Sequence, residues 1–354
     1  MAEIDIQQFE GRKREHIRHS LDPAHQATGL SGLDGIHLYH EALPELDFKE
    51  VHLSTICLGR ILPTPFYIAG MTAGHADAPQ INRTLAIACE RRGWAMGVGS
   101  QRRELESSQS TLSDEWKKLR EELPGLTVFA NIGISQLLTT PVSGIRRLVD
   151  SVRAHALAVH TNVLQECLQP EGTPDFRGAV EALQQLCLEL DVPVILKETG
   201  CGFSAPTLER LSKIGLAAID VSGLGGTHWG RIEGARAREQ DSKSIQGLAS
   251  ETFADWGEAT SQSVLLAKKI LSKAEVWASG GVRTGLDAAK LIALGADRVG
   301  YAQPALKAAL NGSEELNKWM ERQEFELKVA LLCTGSATPA ALRQKEGSWT
   351  ISGN

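Results

Sequence analysis

EVWASGGVRTGLDAAKLIALGADRVGY, residues 275–301, holds one full repeat of the chain's construction. EVWASG is a short apolar run that ends in glycine. LDAAKLIALGA carries apolar residues at three- and four-residue spacing, the mark of a helix with one buried face. DRVGY is a second apolar run. An apolar strand, a turn, an amphipathic helix and another apolar strand make a βαβ unit with parallel strands.

The same unit recurs upstream. FYIAG (66–70), WAMGVG (94–99), TVFANI (127–132), HALAVH (155–160), PVILK (193–197) and LAAIDV (216–221) complete a set of eight apolar runs. Stretches such as LVDSVRA and VEALQQLCLEL lie between them with helical spacing. Most strand starts fall roughly 22–38 residues apart, and one longer gap separates the sixth from the seventh. This pattern predicts an α/β fold, a closed (β/α)8 TIM barrel over residues 61–345. A doubly wound open sheet is the alternative, but no GxGxxG turn follows the first strand. Residues 1–60 are polar and read as an N-terminal extension. Residues 313–345 read as one or two extra C-terminal helices. Residues 223–255 read as a long loop or lid within the barrel.

The chain has 354 residues, 42% of them hydrophobic and 5% aromatic. Its 37 Lys plus Arg against 43 Asp plus Glu give a net charge of −6, which lacks the basic footprint of a nucleic-acid binder. No apolar run approaches a bilayer span, so no membrane partner is expected. The start, MAEIDIQQFEGRKREHIRHS, has no secretory apolar region, and a cytoplasmic location is expected. No two of the six cysteines are closer than 14 residues, so they read as reduced, mostly buried thiols.

Barrel chemistry sits on the loops after the strands' carboxyl ends. Gly280-Gly281 after the seventh strand, ahead of a helix opening at Thr284, suits a phosphate held by backbone N–H groups with a helix dipole behind it. Glycines that merely turn the chain are the plainer reading. Lys197 ends a buried strand, so it faces the pocket or an anion. It suits a Schiff base or a fixed charge against a cofactor equally well. Glu166 suits Mg²⁺ bound largely through phosphates and water, or is a solvated loop acid. His160 alone reads as a core histidine, and the basic stretch 11–20 as a solvated arm.

The combination RKREHI, GMTAGH, GVGSQR, ANIGISQ, HTNVLQECLQPEG, VPVILKETGCGFS, IDVSGLGGTHW, DWGEAT and ASGGVRTGLDAAKLIALGA resembles the type 2, flavin-dependent isopentenyl-diphosphate isomerases. The similarity runs from Arg12 through Leu342. It implies reversible conversion of isopentenyl diphosphate to dimethylallyl diphosphate with reduced FMN, Mg²⁺ and NADPH as the priming reductant. It places flavin contacts on Ala69, Gly70, Met71, Thr72, Ser100, Asn131, Lys197, Ser222, Thr227, Gly280, Gly281, Val282, Arg283, Ala302 and Gln303. Arg12, Lys13, Ser100, Gln101, Arg102 and His160 would meet the diphosphate, and Asn162 would also bind the substrate. Gln165 would line the allylic part of the pocket, Glu166 would hold Mg²⁺, and Glu233 would be an auxiliary catalytic group beside Gln165, His160 and Lys197. The resemblance favours the flavin as acid and base, and implies a homo-oligomer, a tetramer or octamer. Ala73 and Thr161 stand where the family usually has glycine and leucine. The rivals are a flavin-barrel oxidoreductase acting on a small hydroxy acid and a non-catalytic phosphate-binding barrel.

Overall fold

The computed structural model describes residues 15–71, 77–106 and 111–352. Eight strands form the predicted barrel: β1 (Phe66–Ile68), β2 (Ala95–Gly97), β3 (Val128–Gly133), β4 (Ala156–Thr161), β5 (Val194–Glu198), β6 (Ala218–Asp220), β7 (Glu275–Ala278) and β8 (Arg298–Tyr301). They pair in sequence order, all parallel, and β8 closes the ring onto β1. Each strand falls on one of the eight apolar runs, and β3, β4 and β5 extend one residue beyond theirs, to Gly133, Thr161 and Glu198.

Both faces of every strand are buried, yet the two faces differ. Phe66, Ile68, Val128, Ala130, Leu157, Val159, Leu196, Ile219 and Val276 pack outward against the helices. Tyr67, Ala69, Phe129, Ala156, Ile195, Ala218 and Trp277 fill the interior. The period of two follows from the pleat. Towards the carboxyl ends it turns Asn131, His160, Lys197 and Asp220 inward. Register places His160 beside Lys197, and Lys197 beside Asp220.

The lower interior is packed with rings. Trp277 sits 5.1 Å from both Tyr67 and Phe129, and the Arg298 guanidinium lies 5.9 Å from the Trp277 ring. A hairpin of Thr55–Cys57 and Arg60–Leu62 plugs the bottom with Cys57 and Leu62. Residues 15–60 therefore contribute structure: residues 15–21 are helical at the mouth, and strand Ile36–Leu38 pairs with Trp349–Ile351. Two C-terminal helices follow the barrel, Ser313–Cys333 and Pro339–Gln344.

The expectation of a loop over 223–255 is corrected. Residues Trp229–Gln240 and Ile245–Thr252 are helices that cross closely, since a Cβ on Gly234 would fall 1.8 Å from Ser250 Oγ. The buried side chains of the first helix include Glu233 and Arg236, so the apolar periodicity that announces a helix is missing. The cysteines are all free, but only Cys57 and Cys89 are buried, and Cys167 is exposed.

The interior leaves Gly300 no room for a side chain. Its Cβ would lie 2.3 Å from Tyr67 Cζ, and the ring is held against Trp277. Gly300→Ala is expected to destabilise the protein by about 1–3 kcal/mol. A chemical-denaturation midpoint measures the loss.

Candidate active site

The pocket opens at the carboxyl rim of the barrel and takes in the ends of β1 to β8. On one side stands the glycine platform. Gly280 and Gly281 adopt φ +97° and +79°, which side chains other than glycine rarely take. A Cβ on Gly281 would meet Gly225 backbone atoms at 2.6 Å, so the two loops interlock. Arg283 braces them, donating to Gly281 O at 2.8 Å and Gly225 O at 3.2 Å. Ser222 at the end of β6 is held at φ +35°, a strained value for serine, and also lines the pocket.

The expected helix dipole after β7 is corrected. Thr284 and Asp287 form a capping box on the helix Gly285–Ala293, and Glu326 takes the Gly285 N–H. The amides of Arg283 to Gly285 thus meet protein carboxylates. This leaves Gly280 to Val282, just upstream, as the donors the loop offers an anion. Across from them, Gln303–Leu310 begins at Ala302 with no side-chain cap. Its opening residues Ala302, Gln303 and Pro304 line the same pocket.

The floor is polar. Lys197 Nζ donates to Asp220 Oδ2 at 2.8 Å and Ser279 Oγ at 3.1 Å. Asn131 Nδ2 donates to Val98 O at 3.0 Å, which leaves its Oδ1 as acceptor for His160 Nδ1 at 2.8 Å. The His160 Nδ1 atom therefore carries a proton, and chemistry at this ring falls to Nε2.

The opposite wall is the helix Val163–Leu168, capped by Asn162, whose Oδ1 accepts from Gln165 N at 2.9 Å. The cap fixes where Gln165 and Glu166 stand. Gln165 Nε2 donates to Glu233 Oε1 at 3.0 Å. Glu166 Oε2 accepts from Thr173 N at 2.8 Å. No cluster of three or more His, Cys, Asp or Glu suited to a metal occurs among the described residues.

Of the expected site residues, Ala69, Gly70, Met71, Ser100, Arg102, Asn131, His160, Asn162, Gln165, Glu166, Lys197, Ser222, Thr227, Gly280 to Arg283, Ala302 and Gln303 line this one pocket. Two do not. Gln101 is buried, its side chain accepting from Asn131 N and donating to Leu148 O, so it holds β3 in place. Glu233 is fully buried and tied to His16, Gln165 and Arg236. Burial opposes its ionisation, but these donors outweigh it and hold the carboxyl down at about 2. Such a group orients Gln165; it does not exchange protons near neutral pH. Arg12, Lys13, Thr72 and Ala73 lie outside the described residues. Sequence reading missed His16, Ile17, Ser20, Gln26, Gln136 and Trp229 on the pocket wall. The RKREHI motif was the available signal for His16.

Residues 153–347 match the family model for FMN-dependent dehydrogenases. The chain is 50% identical over 341 residues to the isopentenyl-diphosphate delta-isomerase of Legionella pneumophila (strain Lens), covering 96% of this chain and 98% of that protein. It is 51% identical over 343 residues to the isomerase of Bdellovibrio bacteriovorus (strain ATCC 15356 / DSM 50701 / NCIMB 9529 / HD100), covering 96% and 97%. The chain belongs to the FMN-dependent, type 2 isopentenyl-diphosphate delta-isomerases. A solved mandelate oxidase variant with an FMN monooxide adduct superimposes with a TM-score of 0.66 over 98% of this chain and 100% of that one. At 16% identity that likeness shows the shared barrel alone.

Beside this pocket, charge ties three segments of the chain together. Arg236 joins Glu233 on its own helix, Glu15 beside the mouth at 3.0 Å and Glu171 of the QPEG turn at 3.3 Å. Since the Glu233 carboxyl is depressed, the stability it contributes is present above pH about 4.5 and lost as pH falls towards about 2. Glu233→Gln is expected to be less stable at neutral pH and to lose less further stability on acidification than the parent. Denaturant midpoints across that range measure the difference.

Proposed function

We propose that this isomerase interconverts isopentenyl and dimethylallyl diphosphate with reduced FMN on the glycine platform and the substrate diphosphate bound at the rim with Mg²⁺. The observation that carries the reading is one pocket that joins the platform and Lys197 to His160, Gln165 and Glu166. Glycine backbone that no Cβ could share with the facing loop suits the phosphate end of a flavin, and a buried ammonium suits its ring end.

The reaction adds a proton at the terminal alkene carbon and removes one from the neighbouring methylene, with no net redox change. Bound reduced FMN supplies the nitrogen acid and base for these transfers, after priming by NADPH. The chain's residues do the rest. His160 Nε2 and Arg102 meet diphosphate oxygens, and an imidazole beside such an anion favours its protonated form. Glu166 offers a lone carboxylate whose Oε1 takes no hydrogen bond from the described residues. That donor set fits Mg²⁺ completed by diphosphate and water. Gln165, pinned by Glu233, shapes the wall beside the alkene. Ile17 and Trp229 cover the site with apolar surface and keep water from it. Exposed Ile245, Leu248 and Trp256 suit a homo-oligomer, whose mass light scattering reads.

Turnover of isopentenyl diphosphate by the reduced, flavin-loaded protein tests the reading. Oxidation of mandelate without isomerisation would overturn it. Glu166→Gln should lower Mg²⁺-dependent turnover by about a hundredfold or more with flavin content unchanged, because the metal stabilises transition-state charge by several kcal/mol. Arg12→Ala with Lys13→Ala should raise KM for isopentenyl diphosphate by about tenfold or more, since each charge-assisted contact contributes about 1.5–3 kcal/mol. Initial-rate kinetics and the flavin spectrum measure both.

A further inference from the structure

Lys197 does not stand in the pocket as an isolated cation. Its ammonium closes a triangle with Asp220 and Ser279, in which Ser279 Oγ donates to Asp220 Oδ1 at 2.7 Å. Each carboxylate oxygen of Asp220 thus takes one of these bonds. Lys197 and Ser279 line the pocket, while the Asp220 side chain is 2% exposed and lies beneath them. The three come from β5, β6 and the end of β7, so the barrel's register brings them together.

We propose that Asp220 is the positioning residue and counter-ion of Lys197, limiting the positive charge that the lysine presents to the flavin ring. The inference rests on FMN occupying the pocket. A lysine stem has four rotatable carbons and a compact charge, so a buried partner is needed to hold it in one place. In a dry site, opposite charges act strongly on whatever lies beside them. Lys197 alone would favour an anionic reduced flavin strongly. With Asp220 beneath it, the field at the ring is the difference between two nearby charges. That balance suits a cofactor that must both release and regain a proton in each turnover, because neither charge state is held too firmly. Ser279 relays between the two groups and orients the carboxylate.

The test is the flavin midpoint potential of the intact holoenzyme. Asp220→Asn and Asp220→Ser remove the counter-charge and should shift the potential positive. Lys197→Met should shift it negative, and Asp220→Glu should stay at the parent value. Neutral variants with an unchanged or more negative potential would overturn the proposal. Loss of the fold or of flavin in both neutral variants would also overturn it, by giving the carboxylate a purely structural role. Flavin content of the unmodified protein, read from its visible spectrum, tests the underlying cofactor assignment separately. A parent without flavin removes that assignment, whereas a flavin-loaded parent with unresponsive variants removes only the role of Asp220.

Discussion

A closed parallel barrel leaves no strand face in water, and this constraint governs the rest of the molecule. Every second side chain must point into the interior, and the interior narrows to a packed floor of Tyr67, Phe129, Trp277 and Arg298. Inward-facing side chains two or four positions further along the strands do not pack against that floor. They become the base of the pocket, and there the sequence changes from apolar to Asn131, His160, Lys197 and Asp220. The candidate site is thus a continuation of the barrel's own alternation, placed at the end where the strands stop needing each other's apolar atoms.

The polar groups at the base of the pocket are admissible because they satisfy one another. Lys197, Asp220 and Ser279 form one closed set, and Asn131 with His160 and Val98 O forms a second. Burying any member alone would cost several kcal/mol. Glu198 follows the same rule on the outer face of β5: its Oε2 accepts from four successive amides, Thr199 to Gly202, and so folds the turn that carries Thr199 and Gly200 to the pocket. Burial nevertheless pushes its carboxyl up to about 7 against the pull of those amides.

The wall over the pocket is built differently. It rests on charge spanning distant parts of the chain: Arg236 with Glu15, Glu171 and Glu233, and His16 with Glu233 and the edge of Trp229 at 5.1 Å. One arginine links the segment leading into the mouth, the turn after the Glu166 helix and the helix above the pocket. Through Glu233 the same network reaches Gln165. The glycine platform, by contrast, is held by backbone interlock and by Arg283.

The sequence by itself determined the eight strands, their parallel order and the loops that carry the site. Alternation and helical spacing are local signals, and a βα repeat has one favoured way to close. The residues after each strand could therefore be assigned to one rim before any contact was known. Only the tertiary structure decided what each polar side chain does there. Gln101 sits in the SQR motif yet turns inward to hold β3. Glu233 is tied to His16, Gln165 and Arg236 among the described residues, the first of them 217 residues away. The helix Trp229–Gln240 lacks a plain apolar stripe because its buried face includes Glu233 and Arg236. Thr284 and Asp287 consume the helix end that looked ready for a phosphate. Local pattern records which face of an element is buried. It holds no record of which distant donor a buried carboxylate meets, because a pairing such as His16 with Glu233 exists only once the barrel has closed and brought the two segments together.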